Sequence, residues 1–273
     1  MAANPQSQRG FKYEENVAKF LQTQGLVLPS FKPAGSGSKR ADLEMIIEGK
    51  SVNVELKIEA ASGGSLVLKW NRQKKWHFDD VSDNPEKQFL ADLAESCGAL
   101  AQVNKKWKNT PVKFANPSST KPEEKLLAAR WKNAKNKEQK KKVYYAELDR
   151  FPEISNELPG STISNYYKLK ETYYVNVGTN GFYTFDNNDP AGINKRCLKK
   201  GIPTLPSFAD AAKLKYRVRV QDKGGGNFQY TFELSFSLSK ANSSKYNIGP
   251  CSGEPGPGGV AIIKRLANLD CVL

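Results

Sequence analysis

At 273 residues, with 38% hydrophobic and 10% aromatic content, the chain is long and apolar enough for a packed core and is not a disordered tail. Its 42 Lys and Arg against 28 Asp and Glu leave a formal charge of +14, which favours a polyanionic partner through counterion release from phosphates. The four cysteines are scattered without a CxxC pair and His77 is the only histidine, which argues against structural zinc, a disulfide scaffold and His-based catalytic triads.

Residues 10–25 predict an amphipathic helix, with Phe11, Val17, Ala18 and Leu21 near helical spacing and Gly25 as its stop. A loop of small and basic residues, KPAGSGSKRA, follows. Two strands are expected over Asp42–Ile47 and Ser51–Ile58, joined by a tight turn at Glu48-Gly49-Lys50. In the second, Val52, Val54, Leu56 and Ile58 share one face, while Asn53, Glu55, Lys57 and Glu59 share the other. A further strand is expected to run into the basic, Trp-containing stretch of residues 65–78. Helices are expected over 84–100 and over 122–149, the latter opening with Pro122, Glu123 and Glu124. From about residue 160 strands are expected: a hairpin in YYKLKETYYVNVGTNGFYTF around Asn-Gly, and a second around the Gly-rich turn of KYRVRVQDKGGGNFQYTFELSFSL. A loop, CSGEPGPGG, precedes a short closing element, VAIIKRLANL.

Two residues apart on one strand, Glu55 and Lys57 point the same way. A tight turn brings the start of the first strand beside the end of the second, so Asp42 is expected near Glu55. Hydrolysis of a phosphodiester needs a bound cation, a nucleophilic water and positive charge against the transition state. Magnesium takes hard oxygen ligands, often one or two carboxylates with waters and a substrate phosphate, and a neighbouring Lys can orient the water. The competing reading is an ordinary exposed hairpin with Glu55 and Lys57 as an ion pair.

These residues resemble the PD-(D/E)xK nuclease superfamily, as Ala41-Asp42-Leu43 followed by Val54-Glu55-Leu56-Lys57, with Ala41 where the family name has proline. The preceding helix, with Gly10, Glu14, Leu21 and Gly25, and the loop Ser36-Gly37-Ser38-Lys39-Arg40 resemble Holliday-junction-resolvase-type members; the match covers residues 8–60. The resemblance implies an α/β restriction-endonuclease-like core with a mixed central sheet flanked by helices in residues 1–150, and a strand-rich extension in 160–273 for recognition or structure. It implies magnesium, with manganese as a substitute, held by Asp42, Glu55 and the Leu56 carbonyl. In the same way Lys57 positions the water and Glu14, rather than Glu15, contributes from the helix. Enzymes that cut two strands are often dimers, so the resemblance leaves a homodimer open.

DNA contacts are expected from Ser36, Ser38, Lys39 and Arg40, from Lys69, Arg72 and Lys74 beside Trp70 and Trp76, and from Arg217 and Arg219 on the Gly-rich hairpin with Gln221 and Asn227. The plainer alternatives are a flexible loop for the first group, a strand end with solvated lysines for the second and a sheet edge with alternating basic residues for the third. The function expected is magnesium-dependent, site-specific DNA cleavage of the restriction or phage type. Resolution of branched DNA is the alternative, and a non-catalytic nucleic-acid-binding protein is the competing class. An anionic membrane surface ranks last, because the 122–149 helix loses its apolar spacing after Trp131. No apolar run spans a bilayer and the N-terminus has no apolar signal core, which points to a cytoplasmic address.

Overall fold

The computed structural model describes residues 5–33, 41–59, 62–71, 73–78, 81, 83–109, 111, 132–178, 180–199, 201, 203–223, 228–251 and 254–255. The fold is mixed α/β, with sheets flanked by helices, as expected. By internal contact the chain divides into two compact units, Met1–Ala61 with Pro159–Leu214 and Phe236–Leu273, and Ser62–Leu158 with Lys215–Ser235. The sheets do not follow the expected division at residues 150–160. The four-stranded and the five-stranded sheet each draw strands from both halves of the sequence, and so do the two units.

The first unit holds helix α1 (Pro5–Thr23), then strands β1 (Leu43–Ile47) and β2 (Lys50–Lys57). The two strands pair antiparallel from Leu43↔Val54 to Ile47↔Lys50. Glu48 and Gly49 close the hairpin with φ of 47° and 73°, the positive pair that a two-residue turn needs to match strand twist. Residues 166–168, expected in the first arm of the hairpin, instead end a helix, Ser161–Lys168, and β6 (Thr172–Val177) pairs with β7 (Gly181–Thr184) around the Asn180-Gly181 corner. The sheet order is β1-β2-β6-β7, and β2 runs parallel to β6. At the end of that pairing Gly178 donates to the Lys57 carbonyl at 2.7 Å, and a Cβ there would stand 2.1 Å from the Ile58 oxygen. Only glycine lets the two backbones approach so closely.

One face of the sheet is buried by α1, whose Tyr13, Val17, Ala18 and Leu21 join Leu43, Met45, Ile47, Val52, Val54 and Leu56 in one apolar cluster. The alternation read from the sequence therefore holds: Val54 and Leu56 are core, and Glu55 and Lys57 face the other way.

The second unit is built on a sheet that includes β3 (Ser62–Trp70), β4 (Trp76–Phe78) and β5 (Ile154–Leu158). Its other two strands are β8 (Ala212–Asp222) and β9 (Phe228–Leu238), in the order β4-β3-β9-β8-β5. The helix expected over 84–100 is broken by Gly98 (φ 71°) into Pro85–Ser96 and Ala99–Lys106. Of the expected 122–149 helix, Lys137–Arg150 is helical, capped by Asn136, and residues 112–131 lie outside the described residues. Trp76, Trp107, Phe151 and Tyr230 form the aromatic centre, with ring centroids 4.8–6.0 Å apart in tilted or edge-on pairs. The indole N–H groups are satisfied, Trp76 by the Trp107 carbonyl at 3.2 Å and Trp107 by the Pro152 carbonyl at 2.9 Å. The Gly-rich turn and the closing VAIIKRLANL segment lie outside the described residues.

Candidate active site

The hairpin register places Asp42, one residue before the Leu43↔Val54 pair, across from Glu55. Asp42 Oδ2 accepts a hydrogen bond from the Leu56 main-chain N–H at 3.0 Å and lies 4.0 Å from Lys57 Nζ. Lys57 Nζ donates to Glu55 Oε1. The expected trio thus meets at one end of the hairpin.

Glu55 is only 2% exposed although it faces away from the apolar cluster. Its cover comes from the other half of the sequence. The parallel β2–β6 pairing carries the helix before β6 alongside, and Tyr167 donates to Glu55 Oε1 at 3.1 Å. Lys170, in the turn between that helix and β6, reaches Glu55 Oε2 at 3.4 Å and sits 5.5 Å from the Tyr167 ring centroid. Neither residue was signalled by the nuclease-like pattern, because nothing local marks a partner more than a hundred residues away.

The charges respond to this crowding. Burial pushes Glu55 up, but the ammonium groups of Lys57 and Lys170 and the hydrogen bonds from Lys57 and Tyr167 outweigh it and hold the carboxyl below its usual range. Lys57 is desolvated yet raised, because Glu55 and Asp42 favour its charged form. Asp42 is pushed up to about 6 by burial and by Glu55, against Lys57 and the Leu56 N–H. Glu14, on α1, is raised to about 7 by burial, by Asp42 and by Glu55. Glu14 is thus within electrostatic reach of the trio, although none of the hydrogen bonds or ion pairs among the described residues joins it to them.

Among the described residues, no three His, Cys, Asp or Glu side chains are arranged as a ready metal cage. The donor chemistry nonetheless fits a hard divalent ion that keeps some of its waters. Asp42 and Glu55 offer carboxylate oxygens at one end of the hairpin. Asp42 and Glu14 are both driven toward neutrality by burial and by neighbouring acids, which a divalent charge would relieve.

The expected DNA-contact residues fare differently. Ser36, Ser38, Lys39, Arg40 and Arg72 lie outside the described residues, as does Asn227. Lys69 and Lys74 are exposed, and Lys74 sits in a left-handed turn (φ 58°). Arg217 and Arg219 are engaged by an acid that their alternating pattern did not reveal. The buried Glu233 on the neighbouring strand takes Arg217 at 2.6 Å, Arg219 Nε at 3.0 Å and Gln221 at 2.9 Å. The Arg219 Nε contact is an ion pair without hydrogen-bond alignment. No helix among the described residues is long and apolar enough to cross a membrane.

No model of a known protein family matches the sequence, and no curated protein matches it. Among solved structures the chain is similar to HhaI endonuclease in complex with DNA, with a TM-score of 0.36 and 14% identity over 84% of this chain and 90% of that chain.

Proposed function

We propose that the chain is a magnesium-dependent DNA endonuclease with a restriction-endonuclease-like core of the PD-(D/E)xK kind. The observation that carries this reading is the meeting of Asp42, Glu55 and Lys57 at one end of the β1–β2 hairpin, with Asp42 tied to the main chain of Leu56. A simple surface ion pair would not bury Glu55 or surround it with donors from Lys57, Tyr167 and Lys170.

In this reading Asp42, Glu55 and the Leu56 carbonyl hold the ion, and manganese can replace magnesium. The bound ion supplies Lewis-acid polarisation of the phosphate and a more acidic water. Lys57, kept charged by its acidic neighbours, orients the attacking water and opposes charge developing on the phosphate. Tyr167 fixes the rotamer of Glu55 from the buried side. Glu14 accepts a proton from, or a hydrogen bond of, solvent on the helix side of the site. The formal charge of +14 supports DNA as the substrate through its phosphates. Site-specific cleavage of the restriction or phage type is the preferred form.

Incubating the protein with supercoiled, linear and four-way-junction DNA, with magnesium and then with EDTA, tests the reading. Cleavage that needs magnesium and is lost in Glu55→Ala and Lys57→Ala is the expected result. Preference for the junction would select the branched-DNA alternative. Tight, salt-sensitive binding without cleavage would make the chain a nucleic-acid-binding protein instead.

A further inference from the structure

Lys170 stands where the chain turns from the helix Ser161–Lys168 into β6. Its backbone N–H closes on the Tyr167 carbonyl at 3.0 Å, and Glu171 follows at φ 50°. This tight turn folds the Lys170 side chain back over the Tyr167 ring and onto Glu55 Oε2, and leaves it 11% exposed. The two Glu55 oxygens are held unequally. Oε1 takes both Lys57 and the buried hydroxyl of Tyr167, whereas the partner shown on Oε2 is Lys170. Lys170 also lines an open cleft of about 650 Å³, together with Lys32, Glu44, Asn53, Leu169 and Glu171. Lys57 is the more exposed of the two ammonium groups, but it is held by Asp42 as well as by Glu55, whereas the acid beside Lys170 is Glu55; Lys170 is therefore the one that can turn to the cleft.

Resting on the nuclease reading above, we propose that Lys170 has two partners in turn. It balances Glu55 while no divalent ion is present, and it binds a DNA phosphate from the cleft side once the ion takes that charge. The ammonium and the divalent ion compete for one carboxylate, so their occupancy of Glu55 is mutually unfavourable. A lysine freed beside a metal-bound phosphate has an anionic partner at once, as a point charge without strict geometry. Lys32 on the cleft wall adds positive charge, but Glu44 and Glu171 on the same wall offset it, so the attraction for a phosphate rests on Lys170 and the bound ion.

The two roles predict changes of opposite sign when the ammonium is removed. In Lys170→Met, titration with Mn2+ without DNA should show affinity raised about fivefold or more. DNA binding measured with Ca2+ present should weaken, and the slope of log affinity against log salt should fall by about 1, the signature of one lost phosphate contact. Lys170→Arg should restore the salt slope. A merely structural role predicts weaker Mn2+ binding, an unchanged salt slope and no recovery in Lys170→Arg, and would overturn the proposal. Wild type and Glu55→Gln are titrated alongside. If wild type binds Mn2+ no better than Glu55→Gln, the nuclease reading fails and this inference falls with it. If wild type binds and Lys170→Met matches it in Mn2+ affinity and salt slope, the inference alone fails.

Discussion

The Leu56 main-chain N–H donates to Asp42 Oδ2 at 3.0 Å, so the acid that immediately precedes β1 is held by the backbone between the two site residues of β2. The bond does not require the negative charge, because a side-chain amide oxygen accepts from the same N–H. Asp42→Asn should therefore keep the hairpin and its thermal stability while removing the charge that would hold a cation. Cleavage should fall by more than about 100-fold, beyond the usual loss for an outer-shell partner. Circular dichroism with a magnesium-dependent nicking assay checks both halves. Loss of fold together with activity would mean that Asp42 is a structural cap.

The raised acids give a pH dependence with a defined sign. Glu14 moves from 4.5 to about 7 and Asp42 from 3.8 to about 6, so the folded protein keeps protons that the unfolded chain has lost. Their contribution to stability declines as pH rises from about 4 to about 7 and is flat above that. Glu55 has the opposite sign: its lowered carboxyl stabilises the fold above its ordinary value, and that contribution is lost as pH falls through the folded value. A divalent ion must displace the protons on Glu14 and Asp42, so affinity should climb between pH 5 and about 7 and then level. Calorimetry at pH 6 and pH 8 in buffers of different ionisation enthalpy should show proton release at the lower pH and little at the higher. Equal release at both would remove these two acids from the ion's surroundings.

Much of this site was readable because it is local. Period-two alternation assigned Val54 and Leu56 to the core and Glu55 and Lys57 to the opposite face, and a two-residue turn fixed the register that sets Asp42 beside them. What stayed hidden depends on pairing between distant segments. Tyr167 and Lys170 reach Glu55 only because β2 runs parallel to β6, and aromatic residues 166–167 read as strand although they form the buried face of a helix. The same limit applies in the second unit. The alternation of Arg217, Arg219 and Gln221 suggested an exposed ribbon, while the acid that engages them lies on β9, at a register the turn composition did not reveal.

Glu233 also decides what Arg217 does for the protein. The carboxylate is 2% exposed, and Arg217 contacts it at 2.6 Å with a side chain that is 23% exposed. Truncating the arginine leaves Glu233 to Arg219 and Gln221 alone, an under-compensated charge in a low-dielectric setting. Arg217→Ala should therefore destabilise the fold by about 1–3 kcal/mol, below the cost of breaking a fully buried pair because Arg217 is partly solvated and Glu233 keeps other donors. Adding Glu233→Gln should recover part of the loss, since the neutral amide no longer needs two cations. DNA binding by the single variant, measured well below its melting temperature, should keep its wild-type salt slope. A slope reduced by about 1 with stability unchanged would instead make Arg217 a phosphate contact, with Glu233 only orienting its guanidinium.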